Sequence, residues 1–294
     1  MPSRGSVKPE RIGRGLLWAG GMALVAWPLA VAGWSFAIEQ SSVGMALPDI
    51  RSGGWEVTGS RADVRPSVTA NGDGATIDFA PSSLVLTKHL TFVGADQPLT
   101  LNNLRTDLSN TTVTLDYGAN GPWAQRISID GDIRVDAARV EHPQLLPQTW
   151  NFQGRAKGRL ADLRVQGTLA SESGFTADLD IQLNPEGGVS VAIDSVIEGK
   201  QGVQALAETL VGWPDLLTVD SGNARLSMEV STGRGGEVAA SGSVELQDVG
   251  GVFNRTAVSG LTGQVRGSLE NSRITTRFRD MTVGEINGSY FNGK

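Results

Sequence analysis

Residues able to do chemistry are few in this sequence and are poorly spaced for it. There are two histidines, His89 and His142, and no cysteine. Neither histidine has a second His or Cys at metal-ligand spacing, so no zinc site is expected. Disulfides, thiolate metal sites and a cysteine nucleophile are excluded outright. Asn71-Gly72-Asp73-Gly74 begins like a calcium loop, but Ala75 and Ser82 stand where an EF-hand places oxygen ligands, and a hairpin tip accounts for it better. Asp130-Gly131-Asp132 reads as a turn or kink between Ile129 and Ile133 rather than as a carboxylate pair. Paired carboxylates of the glycosidase type need a defined separation. The chain has 31 acidic residues, yet no spacing selects two of them. No Gly-x-Ser-x-Gly elbow and no Walker-type phosphate loop is present. The residues therefore predict a protein that is not an enzyme, with no metal and no cofactor.

What the sequence does organise is apolar surface. Val113, Leu115 and Tyr117 alternate with polar residues, as do Ile127, Ile129, Ile133 and Val135. The cleanest runs are Ala177, Leu179, Ile181 and Leu183, then Val189, Val191 and Ile193, then Leu226, Met228 and Val230. Period-two alternation gives each strand one apolar and one wet face, the signature of antiparallel sheet. Asn184-Pro185-Glu186-Gly187-Gly188, Asn71-Gly72, Asp73-Gly74, Asn120-Gly121 and Asn287-Gly288 supply turn signals for a meander of hairpins. Glycine followed two residues later by Leu or Val recurs at Gly158, Gly167, Gly242, Gly263 and Gly267, and predicts bulges or bends that curl the sheet. One short helix is expected over 201–212, with Val203, Leu206, Ala207, Leu210 and Val211 on one stripe. Gly212 caps it, Pro214 ends it, and its role is to cover an open end of sheet.

The first 38 residues differ from the rest. Residues 16–38 contain no charge over 23 positions, long enough for a bilayer-spanning helix. Arg4, Lys8, Arg11 and Arg14 precede the run and Glu39 follows it, which orients a single-pass anchor with its N-terminus in the cytoplasm. Trp18 and Trp34 fall near its ends and Trp27 within it, between Leu16 and Ile38. A cleaved signal peptide with Ala30-Val31-Ala32 as its site is the competing reading. The organisation predicted is a basic cytoplasmic segment (1–15), a signal-anchor helix (16–38), a linker without periodicity (39–54) and a β domain from residue 55 onward. The first 40 residues carry +2 against −6 for the whole, leaving −8 on the body, so nucleic acid is not an expected partner.

The residues leave open where the apolar face goes: into a sandwich, a barrel or an uncovered trough. The stretch at 250–288 bears on this. It contains Val258-Ser259-Gly260-Leu261-Thr262-Gly263 and, later, Val283-Gly284-Glu285-Ile286. It resembles a segment of the YdbH branch of the AsmA-like superfamily of envelope lipid-transport proteins. The resemblance implies an inner-membrane helix carrying an elongated, curled antiparallel β-sheet with an open apolar groove, continuing beyond residue 294. It implies a periplasmic bridge that moves phospholipids between inner and outer membranes, with phospholipids and the inner membrane as partners and an outer-membrane or periplasmic protein at the far end. The groove candidates are then Ala177, Leu179, Ile181, Leu183, Val189, Val191, Ile193, Leu226, Met228 and Val230. About 15 to 18 strands at roughly 4.8 Å spacing would extend an open sheet about 70–85 Å. The alternative is an anchored β-sandwich scaffold or adhesin that binds protein or glycan.

Overall fold

A computed structural model describes residues 36–39, 42–52, 55–92, 98–185, 188–214, 216–232, 238–270 and 273–288. The chain is mainly β and divides into two units, residues 1–138 and 139–294. Twenty strands are present among the described residues, and every pairing whose register is defined is antiparallel.

The N-terminal unit holds β1 (Phe36–Glu39), β2 (Val43–Ala46), β3 (Ile50–Ser52), β4 (Trp55–Thr58), β5 (Arg61–Val64), β6 (Pro66–Ala70), β7 (Gly74–Phe79), β8 (Leu84–Phe92), β9 (Leu99–Asp107) and β10 (Thr111–Asp116). The one-turn helix α1 (Trp123–Arg126) leads into β11 (Ile127–His142), which runs past the boundary of the unit. Strands β1, β6, β7, β10 and β11 form one ladder. Its cross-strand rows are apolar: Val68, Ile77, Val113 and Ile129 lie opposite one another in turn, as do Ala70, Ala75, Leu115 and Ile127. Val68 is 3% exposed, Ala70 1% and Ala75 3%, so the β6 end of these rows is closed, with Tyr117 packed against the two alanines, while Ile77, Val113, Leu115, Ile127 and Ile129 are half-buried.

Strands occur within two segments that the sequence assigned to the anchor helix and the linker. The uncharged run at 16–38 ends inside β1, where Ile38 stands opposite Val68. Absence of charge shows where a helix could cross a bilayer, not where it stops, and Phe36-Ala37-Ile38 are competent strand formers with a free partner in β6. Residues 16–35, with Leu16, Trp18, Trp27 and Trp34, lie outside the described residues. Among the described residues no helix is long and apolar enough to cross a membrane. The segment 39–54, read as a linker, contains β2 and β3. Val43 and Met45 alternate with Gly44 and Ala46 in partial burial, and β2 pairs with β5.

Local turn chemistry accounts for two further positions. Asn71 Oδ1 accepts hydrogen bonds from Asp73 N (2.9 Å) and Gly74 N (3.0 Å), which folds the tip between β6 and β7 back on itself as an Asx turn. Asp130-Gly131 is no turn, because β11 continues through it. Gly131 is needed there for close approach: a Cβ would stand 2.5 Å from Thr111 Cα.

The C-terminal unit is a meander. After β11 come β12 (Leu145–Arg159), β13 (Arg164–Ser171), β14 (Thr176–Leu183) and β15 (Val189–Glu198), then helix α2 (Gly199–Ala207). There follow β16 (Leu217–Thr232), β17 (Val238–Phe253), β18 (Thr256–Glu270), β19 (Arg273–Thr282) and β20 (Glu285–Gly288). Asn287-Gly288, expected as a turn, closes β20 opposite Ala257 and Thr256. The helix ends at Ala207, earlier than its stripe suggested, because Leu210 leaves it to bridge Leu145.

The predicted bulges occur, but not at every glycine. Register shifts interrupt β16 near Gly222 (φ +88°), β17 between Leu246 and Gly251, and β18 beside Gly263 (φ +155°). Asp248 in the shifted part of β17 and Asp280 in β19 also take positive φ. Such bulges turn the strand and increase its twist. Gly167, Gly242 and Gly267 sit in regular ladder instead.

Candidate functional site

Register determines which side chains share a face, because residues directly opposite in an antiparallel ladder point the same way. Leu179 lies opposite Ile193, Ile181 opposite Val191, and Leu183 opposite Val189. Across the next interface, Val191 meets Val230, Ile193 meets Met228, and Ser195 meets Leu226. All ten groove candidates therefore stand on one face of the C-terminal unit. The face continues where sequence reading did not name it. Ala177 is opposite Leu169, which is opposite Phe152, and Ile181 is opposite Val165, which is opposite Ala156. On the other side Leu226, Val244, Val265 and Phe278 form one row, and Val230, Ala240 and Leu269 another. For Leu169, Val244, Val265 and Leu269 the signal was already in the Gly-x-Leu/Val repeats: two residues apart on a strand means the same face, so Gly167, Gly242 and Gly267 belong to the apolar surface beside them.

This face is covered unevenly. Ala156 and Ala177 are buried, at 0% and 3% exposure, so Ala177 is wall rather than accessible lining. Leu179, Ile181, Leu183, Val189, Val191, Ile193, Leu226 and Val230 are half-buried. Met228 is 37% exposed and Phe278 68%. At one end of β12–β14, helix α2 supplies a cover. Ser173 Oγ donates to Ala205 O (3.0 Å), Thr209 Oγ1 donates to the same carbonyl (2.8 Å), and Trp150 meets Phe175 edge-on at 6.2 Å between ring centroids. Beside Met228 a shallow cavity of about 430 Å³ opens on the apolar face, bordered by Leu226, Ala240, Val244, Val265 and Leu269.

The opposite face is mostly polar, with Val196 exposed on it, and several of its charged groups are paired. Arg164 pairs with Asp180 through Nε (2.9 Å to Oδ1) and Nη2, and Gln166 Nε2 adds a hydrogen bond to Asp180 (3.0 Å). The hydrogen bonds from the Arg164 guanidinium hold the Asp180 carboxyl below the usual carboxylate range. Thr168 Oγ1 donates to Asp178 (2.9 Å), and Ser227 Oγ donates to Asp194 (2.6 Å). A recess of about 600 Å³ lies on this face, lined by Asp194, Glu229, Glu245, Arg266, Arg277 and Arg279 among others. It is larger than the apolar cavity, but its mixed charges and serines match water and not an alkyl chain. Among the described residues no cluster of His, Asp or Glu could hold a metal ion.

The geometry thus sets an apolar face on one side of the C-terminal sheet and a hydrogen-bonded face on the other. The family described as "YdbH-like: Intermembrane phospholipid transport protein YdbH" matches residues 38–288, and the chain belongs to it. That is a lipid-transport family, not an enzyme family, and its work between membranes associates it with the cell envelope. No curated protein and no solved structure matches the chain.

Proposed function

We propose that this chain is part of a membrane-anchored periplasmic bridge that moves phospholipids between inner and outer membranes, with their acyl chains against the apolar face of the C-terminal unit. The observation that carries the reading is the state of that face. Eight of the ten aliphatic candidates are half-buried and Met228 is more exposed, all on one side of β14–β16, while the other side is wet and hydrogen-bonded. Exposed aliphatic surface costs about 25 cal/mol per Å² relative to burial, and contiguous apolar patches mark an interaction surface. Membership of a phospholipid transport family supports acyl chains as the missing cover. The uncharged run at 16–35 and its basic flank support a single-pass inner-membrane anchor with the N-terminus in the cytoplasm and the body in the periplasm.

The test is Leu179→Asp in the full chain, read by melting temperature and by phospholipid co-purifying in native mass spectrometry. The expected result is loss of bound phospholipid with the melting temperature lowered by no more than about 4 °C, the shift worth about 1 kcal/mol in a chain of this size. Unfolding of the variant, with no lipid on the wild type, would instead indicate a dry core and the binding-scaffold reading.

A further inference from the structure

We propose that the paired glycines Gly242 and Gly267 form a notch in the apolar face that seats one acyl chain of a bound phospholipid, an inference that rests on the lipid-carrying reading above. Two glycine pairs lie in the same cross-strand row of the C-terminal unit. Gly154 faces Gly167 across β12 and β13, and Gly242 faces Gly267 across β17 and β18. Leu179, Ile193 and Met228 occupy the row between them. Glycine in a strand interior offers nothing to pack and weakens the sheet, so a pair is normally compensated by a side chain laid over it.

The first pair is compensated. Phe152 lies over it: its Cζ would be 2.6 Å from a Cβ on Gly154, and a Cβ on Gly167 would strike Gln153 O at 2.2 Å and Gly154 Cα at 2.5 Å. The second pair is bare. A Cβ on Gly267 would find only Thr275 O at 3.9 Å, and one on Gly242 would meet Ser227 O at 3.2 Å and Met228 Cα and Cβ at 3.8 Å. Neither residue takes a positive φ, so backbone conformation does not demand glycine at either position. What the missing side chains create is space. The cavity of about 430 Å³ lies over this pair, walled by Leu226, Val244 and Val265 on one side and by Ala240 and Leu269 on the other.

The chemistry of that space selects its occupant. Its walls are mostly apolar, with one hydroxyl from Thr276 opposite Gly267, and its floor is backbone already engaged in the ladder, so water gains few hydrogen bonds there. A headgroup would lose its own. A polymethylene chain needs no polar partner and gains dispersion contacts from both walls and from the floor, which it approaches closely because no Cβ intervenes.

The experiment uses the purified full chain with vesicles of radiolabelled phosphatidylethanolamine and phosphatidylglycerol, and a photoreactive residue at position 269 or, as reference, at 181. Gly267→Val fills the notch from a position with room for it, and Gly267→Ala is the milder partner. The expected result is lipid crosslinking from 269 that falls to background in Gly267→Val and is reduced in Gly267→Ala, with the melting temperature at or above wild type and crosslinking from 181 retained. Unchanged lipid crosslinking from 269 in a folded Gly267→Val would overturn the notch and leave the wider groove standing. Crosslinks from 269 to protein alone, with lipid still captured at 181, would do the same. Absence of lipid at both positions would overturn the groove itself.

Discussion

In the N-terminal unit the apolar rows end in buried residues, Val68, Ala70 and Ala75, whereas in the C-terminal unit comparable rows run out to exposed Met228 and Phe278. The difference lies in side-chain size and in what is placed above. The first unit buries small or β-branched residues, Val68, Ala70 and Ala75 in these rows and Ala62 and Val64 on β5. The second also buries small residues, Ala156 and Ala177, together with Trp150. One row then runs through Leu179, Ile193 and Met228, which is 37% exposed, and the neighbouring row from Leu226 ends at Phe278, which is 68% exposed. One chain therefore buries part of one apolar face completely and, elsewhere, leaves large apolar side chains exposed. Folding alone does not reward the second arrangement, so it points to an occupant.

Charge insertion separates the two units most strongly. Val68→Asp places a carboxylate where exposure is 3% and nothing pairs with it, so a loss of about 3–5 kcal/mol is expected, visible as unfolding of the N-terminal unit in denaturant. Ile181→Asp should leave the fold in place, since the side chain can reach solvent across an open face. Equal destabilisation by the two would erase the distinction between closed and open rows.

Overpacking gives a smaller contrast. Ala75→Leu should cost about 1–3 kcal/mol, because at 3% exposure the position has little room for three more carbons. Ala240→Leu, at the edge of the apolar cavity, should change stability by less than about 0.5 kcal/mol. Chemical denaturation of both variants measures this directly.

The smallest effect belongs to the wet face. The Arg164–Asp180 pair is solvent-exposed, so Asp180→Asn should cost about 0.2–1 kcal/mol and less in high salt. Because the folded Asp180 carboxyl is depressed below its ordinary value of 3.8, the pair's contribution is present above pH 3.8. It fades as pH falls from there through the lower folded value. Wild type and Asp180→Asn should therefore converge in stability in strong acid, and a gap that persists there would assign the effect to something other than ionisation.

Alternation carried much of this structure into the sequence. Strands β14, β15 and β16, the wet and apolar sides, and the turn between Leu183 and Val189 were all legible because period two is a local property. What escaped was non-local. That Ala177 is buried while Met228 is open depends on which elements lie above them, not on their own strands. Gly131 looked like a turn because the close approach of Thr111 comes from a different strand. Phe36-Ala37-Ile38 looked like the end of a helix because their partner, β6, lies some 30 residues downstream. The two bare glycines were noted as a repeat, but only cross-strand register shows that they face each other.

The central claim is that lipid lies against one face of the C-terminal sheet, and a photoreactive residue walked through positions 178 to 183 of β14 tests it most directly. The account predicts phospholipid crosslinks from positions 179, 181 and 183 and none from 178, 180 and 182, an on–off alternation that follows the pleat. Folded protein with no lipid captured at any of the six positions, or capture from the even positions, would contradict it.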